Sequence, residues 1–119
     1  MRKTVLFVLA TLGAPTPVLA APSATTDRTG YTAIAAGDLA AAEQRIVAER
    51  RIFPQRPELM LNLASVYQRT GRASAARALY MEVMERPAVA MDLPSGAVVS
   101  SHDLASRALG RRLQEIATR

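Results

Sequence analysis

Residues 34 positions apart repeat one another in this chain. Gly37 and Gly71 keep that spacing, as do Ala42 and Ala76. The surrounding text is similar in both places: AGDLAAAEQRI at 36–46 and TGRASAARALY at 70–80. A period of about 34 residues is that of a helix–turn–helix unit, which cannot bury its apolar face alone and stacks on a copy of itself. The period therefore predicts a mainly α solenoid of about two repeats. It points to a binding or scaffolding surface before any catalytic site.

The first twenty residues read as an address. Arg2 and Lys3 make a short positive region, and Val5 to Leu12 is apolar except for Thr11. Gly13, Pro15 and Pro17 then break any helix, and Val18-Leu19-Ala20 ends on a small residue. Those three parts make a secretory signal peptide over 1–20, with cleavage after Ala20 or Ala21. An N-terminal anchor is the alternative, but the apolar run falls far short of the roughly 20 residues that span a bilayer. The expectation is an exported protein, periplasmic or secreted, with no membrane association after cleavage.

Beyond the signal lies one small domain, divided into 21–87 and 88–119. It contains no cysteine, so packing alone must hold it together. The formal net charge is +5, but two of those positive charges, Arg2 and Lys3, leave with the signal. Lys3 is the only lysine, and every later basic residue is arginine. Arginine forks suit phosphate or carboxylate. A compositional bias, visible also in the abundant alanine, explains the same fact more simply. Export and the scarcity of aromatic stacking platforms exclude a nucleic-acid partner.

Punctuation marks the helices. Thr25 or Thr26 can cap a helix running to about Ala36, which Gly37 ends. Asp38 caps the next, whose stripe is Leu39, Ala42, Ile46 and Phe53, and Pro54 and Pro57 stop it. Pro57 opens a third helix with Leu59, Met60, Leu63, Val66 and Tyr67 on one face. Gly71 ends that one. Ala73, Ala76, Leu79, Tyr80, Val83 and Met84 mark the inner face of a fourth, closed by Pro87. In AVAMDL (88–93), Val89, Met91 and Leu93 alternate to one side; PSG (94–96) is a turn signal and AVVS (97–100) is β-prone. That stretch is a small β-hairpin or a plain loop. Ser100 and Asp103 form an S-x-x-D capping pattern for a last helix, about 101–117. Its stripe of Leu104, Ala108, Leu109, Leu113 and Ile116 is expected to cap the solenoid against Leu79, Tyr80 and Val83.

PELMLNLASVYQRTGRASAARALYMEVMERP (57–87) resembles a tetratricopeptide repeat. Leu63, Ala64, Tyr67, Gly71, Ala76 and Tyr80 stand where that pattern expects small or apolar residues, and Pro87 closes it one residue early. A weaker copy spans about 23–56, with Gly30, Gly37, Ala42, Ile46 and Pro54 in register. Thr26, Thr29, Ala33 and Glu49 depart from the pattern there. The resemblance implies a small exported bacterial protein of this type. It also implies a concave groove lined by the first helix of each pair. Glu58, Leu61, Asn62, Ser65, Gln68 and Arg69 would face it from one unit, and Asp27, Arg28 and Tyr31 from the other. Such a groove holds a peptide or a partner helix. Asn62 could pair with a peptide backbone as donor and acceptor together, or serve a helix or turn contact.

The inventory for catalysis is poor. His102 is the only histidine. Beside Asp103 it makes no dyad, because adjacent helical residues diverge, and it reads as a solvated residue near a helix start. No second histidine, cysteine or carboxylate cluster offers metal-ligand spacing. The sequence thus predicts a non-enzymatic protein-interaction module with no metal or cofactor. The alternative is a structural accessory that self-associates as a homo-oligomer or completes a larger envelope complex.

Overall fold

Glycines and prolines divide the chain into short helices. The computed structural model describes residues 27–118. The elements are α1 (Tyr31–Ala35), α2 (Leu39–Ile52), α3 (Pro57–Arg69), α4 (Ala73–Glu85), β1 (Ala90–Asp92), β2 (Val98–Ser100) and α5 (Ser101–Ala117). The protein is mainly helical, with a two-stranded antiparallel sheet and a C-terminal helix. The expected signal peptide over 1–20 and the expected capping residues Thr25 and Thr26 lie outside the described residues.

The 34-residue period is a repeat of backbone geometry. Gly37 and Gly71 adopt φ of 78° and 79°. At that left-handed position the chain reverses and donates back to the last turn of the helix. In the first turn Asp38 N–H bonds the Ala33 carbonyl at 2.9 Å, and Gly37 N–H bonds that of Ile34 at 3.0 Å. In the second, 34 residues on, Arg72 N–H bonds Tyr67 at 2.8 Å and Gly71 N–H bonds Gln68 at 3.5 Å. The caps differ. The Asp38 carboxylate accepts from Ala41 N–H at 3.1 Å. Arg72 caps nothing with its side chain; it lies over the Tyr67 ring and grips Glu43 of α2 through two 2.7 Å bonds.

The first helix is shorter than expected. It begins at Tyr31, because Gly30 at φ 70° interrupts the α conformation just before it. Residues 27–30 form a turn closed by Gly30 N–H to the Asp27 carbonyl. Asp27 then supplies the cap, its carboxylate accepting from Thr32 and Ala33 N–H, each at 3.0 Å.

Helix α3 is the centre of the core. Leu59, Met60, Leu63, Ala64 and Val66 are all buried, and α2 contributes Ala42 and Ile46. Ala76, Leu79, Tyr80 and Val83 of α4 close the other side. Alanines at the crossings let backbones approach closely. Two members of the expected stripes face outward. Phe53 follows the end of α2, is 41% exposed and carries the Arg56 guanidinium over its ring. Met84 stands at the edge of α4, in contact with Ser106.

Residues 90–100 form the hairpin rather than a loop. Ala90 pairs with Ser100, Met91 with Val99 and Asp92 with Val98, and Gly96 at φ 84° makes the turn. Met91 packs against the core while Val89 is exposed, so the anticipated alternation holds only in part. Ser101 ties the hairpin to α5: its N–H donates to the Val89 carbonyl and its Oγ accepts from Val89 N–H.

Helix α5 covers the end of the helical stack with its first half only. Ser100 Oγ accepts from His102 N–H, one residue earlier than the S-x-x-D pattern implies. His102 is half-buried rather than solvated, and its Nε2 donates to the Arg86 carbonyl at 2.6 Å. Ala105 and Ala108 make the buried contact, with Leu104 and Leu109 partly covered. Leu113 and Ile116, expected to dock, remain 68% and 65% exposed. They stand beside the α4–α5 seam, where with Arg77, Met81 and Leu109 they line an apolar recess of about 240 Å3.

Candidate functional site

A cleft of about 520 Å3 opens where α1, α3, β1 and α5 meet. Thr29 and Tyr31 form one wall, and Glu58, Leu61 and Asn62 come from the start of α3. The opposite wall is the hairpin segment Met91 to Pro94, and Leu104 of α5 completes the lining. Pro57 fixes the helix start that aims Glu58, Leu61 and Asn62 along one side. Leu61 is nearly buried at 8% exposure, whereas Tyr31 is about half exposed. The lining is therefore apolar at depth and polar at its mouth.

Four of the residues expected to face a groove come together here: Tyr31, Glu58, Leu61 and Asn62. Five do not line it. Asp27 is buried at 7% exposure, its carboxylate taken up by Thr32, Ala33 and the Arg45 guanidinium at 3.0 Å. Burial alone would raise its pKa, but the two backbone donors and Arg45 outweigh that and hold it below the ordinary aspartate value. Arg28 is exposed and Ser65 half-buried, both apart from the lining. Gln68 accepts from the Tyr80 hydroxyl at 3.2 Å, and burial raises that phenol's pKa. Arg69 donates to the Ile34 carbonyl at 3.3 Å, bracing α1. For Asp27 and Arg69 the cause is the short α1, whose first N–H groups and Ile34 carbonyl these two side chains satisfy.

Asn62 makes the turn contact. Its Nδ2 donates to the Thr29 carbonyl at 2.8 Å, so it holds the first wall of the cleft in place. The residues that sequence reasoning did not assign to a site are Thr29, Asp92, Leu93, Pro94 and Leu104, together with Met91, read there only as one side of an alternating stretch. The 88–100 pattern announced a hairpin, but nothing local told which helix it would fold beside.

The charge of the cleft runs against that of the chain. Its lining holds two carboxylates, Glu58 and Asp92, and no cation. Glu58 lies 3.5 Å from Arg56 at the surface, and Asp92 is exposed with no ion pair among the described residues. No cluster of three or more His, Cys, Asp or Glu side chains suited to a metal occurs among the described residues. No described helix is long and apolar enough to cross a membrane. Such an arrangement can hold a segment of chain by shape, apolar contact and negative charge.

Comparison with known protein families, curated proteins and solved structures finds no match to this chain.

Proposed function

We propose that the protein is a non-enzymatic interaction module of tetratricopeptide type, exported from the cytoplasm, which holds a peptide segment of a partner protein in the cleft between α3 and the hairpin. The observation that carries this reading is the convergence of Tyr31, Glu58, Leu61 and Asn62, from two units 34 residues apart, on one open cleft. The two turns, with the same backbone bonds and glycine φ 34 residues apart, support the repeat assignment, and the three-part leader at 1–20 supports export. A photo-reactive phenylalanine analogue in place of Tyr31 should yield a discrete cross-linked adduct in the cell envelope. The same analogue in place of Ala78, on the outer side of α4, should not. Substituting Asp92→Arg, at the exposed rim of the cleft, should weaken the adduct while leaving the protein folded and exported. Equal cross-linking from both positions would refute a cleft-directed interaction.

A second reading, a structural accessory that self-associates, draws on a different feature. Met81, Leu113 and Ile116 are 47%, 68% and 65% exposed along one side of the α4–α5 seam. Sedimentation across a hundredfold concentration range distinguishes the two. A monomer throughout favours the peptide-binding reading, and a dimer lost on Ile116→Asp favours the accessory.

A further inference from the structure

The strand that borders the cleft has one edge without hydrogen bonds. Leu93 N–H bonds the Ala97 carbonyl at 2.9 Å, and Ser101 N–H bonds that of Val89 at 2.8 Å. In an antiparallel ladder the bonded pairs alternate. Met91 opposite Val99 is therefore the bonded pair between them, in the observed register. The N–H and C=O groups of Ala90 and Asp92 must point the other way, off the β1 edge. None of them has a partner among the described residues, and both residues are exposed.

The Asp92 end of that edge faces the cleft. Side chains of successive strand residues leave opposite faces. Met91, Asp92 and Leu93 nevertheless all line the cleft, and no β2 residue does. A wall made by residues of both parities is the edge of a strand, not a face of the sheet. An unpaired edge is a template for another strand.

Resting on the reading of the cleft as a peptide site, we infer that its occupant binds as an extended strand, antiparallel or parallel to β1. It forms the third strand of the sheet and carries basic side chains. Backbone pairing to Ala90 and Asp92 supplies the register, as in other strand-addition complexes. Leu61 and Leu104 receive the ligand's inward apolar side chains. Asp92, with no ion pair among the described residues, selects lysine or arginine on it, aided by Glu58, whose charge Arg56 already shares. Tyr31 offers a ring face to the same cations.

Four labelled eight-residue peptides test this on the purified full chain. One alternates valine with lysine and one alternates valine with glutamate. A third is the lysine peptide N-methylated at every second amide on the pairing edge, and the fourth is the lysine peptide N-methylated at the alternate amides. The lysine peptide should bind, the glutamate peptide at least tenfold more weakly. One N-methylated peptide should lose at least tenfold and the other little, because only one edge of the ligand pairs. Amide exchange at Ala90 and Asp92 should slow on binding. Asp92→Asn should weaken the lysine peptide without unfolding the protein. Asp92→Pro should abolish binding, since it deletes an outward N–H that no ladder bond uses. Indifference to charge sign, or equal binding of both N-methylated peptides, overturns the inference while leaving a peptide site in the cleft. Failure of every peptide, with Tyr31 cross-linking intact, also overturns it: the partner then enters in another conformation. A dimer abolished by Asp92→Pro would place a second copy's β1 on this edge and overturns it as well.

Discussion

Gly30 and Ile46 touch so closely that no side chain fits between them: a Cβ on Gly30 would stand 2.6 Å from Ile46 Cγ1. Ile46 is fully buried, and Gly30 also sits at φ 70°. Two independent penalties therefore meet at one residue. At Gly37 and Gly71 the φ is equally positive, but nothing lies within 4 Å of the added carbon. Gly37→Ala should cost about 1–2 kcal/mol from backbone strain alone. Gly30→Ala should cost a further ~1–3 kcal/mol for overpacking. Gly71→Val, with a β-branched side chain at positive φ, should cost at least about 1 kcal/mol. Urea unfolding of the three variants checks the order. Equal losses at 30 and 37 would mean that Ile46 yields freely.

Asp27 makes stability depend on acid. Its folded pKa lies below the ordinary value, so the charged form is the one the fold favours. The unfolded chain binds this proton more readily, near pH 3.9. The contribution is thus complete above about pH 5 and lost as pH falls through the folded pKa. Asp27→Asn should cost about 1–3 kcal/mol at neutral pH, because one of two backbone N–H groups at the start of α1 loses its acceptor. It should also flatten the acid limb of the stability profile below about pH 5. A variant that keeps the full acid dependence would place the responsible carboxylate elsewhere.

The parts legible in the sequence are those governed by short-range chemistry. Glycine at 37 and 71 announced a left-handed turn because only glycine enters that conformation cheaply. Asp38, Pro57 and Ser100 marked helix starts through caps and a missing donor. The α3 stripe was legible because it is buried on a broad face, so periodicity and burial coincide. The expected α1 failed for the opposite reason. Gly30 was read only as a residue in the repeat register, while its positive φ and its close fit against Ile46 appear only in the folded chain. The reading of α5 held for its span and for Leu104, Ala108 and Leu109, and missed at its far end. Leu113 and Ile116 were expected to dock but stay exposed, while Ala105, outside the expected stripe, is fully buried. The candidate site was half legible. Its α1 and α3 walls follow from the repeat register, but the hairpin wall depends on a fold-back that no local pattern specifies.

Asn62 links the fold to the cleft. Its bond to the Thr29 carbonyl ties α3 to the turn before Tyr31. Asn62→Leu removes the donor and leaves that carbonyl without its partner, at a cost of about 1–3 kcal/mol. Tyr31 should then lose its fixed position. The expected outcome is a modest fall in melting temperature and a larger fall in peptide affinity. Asn62→Gln, with the same amide on a longer stem, should recover stability better than affinity. If Asn62→Leu binds the lysine peptide as well as the parent does, the Thr29–Tyr31 wall is not part of the site.

The α5 cap can be tested by opposing its small and large residues. Ala105 is fully buried and Ala108 nearly so, while Leu113 and Ile116 are mostly exposed. Ala105→Leu forces extra methylenes into the α4–α5 seam and should cost about 1–3 kcal/mol. Leu113→Ala and Ile116→Ala should each stay within about 0.5 kcal/mol, as exposed positions do. A cap held by the leucine stripe would give the reverse order. Truncation before Ser100 takes away α5 and the last residue of β2. It bares Leu79, Tyr80 and Val83, and the fragment should melt lower and self-associate. A fragment that stays monomeric and melts like the longer chain would show that α5 contributes no cap. Its exposed Leu113 and Ile116 would then belong to an interface with another molecule.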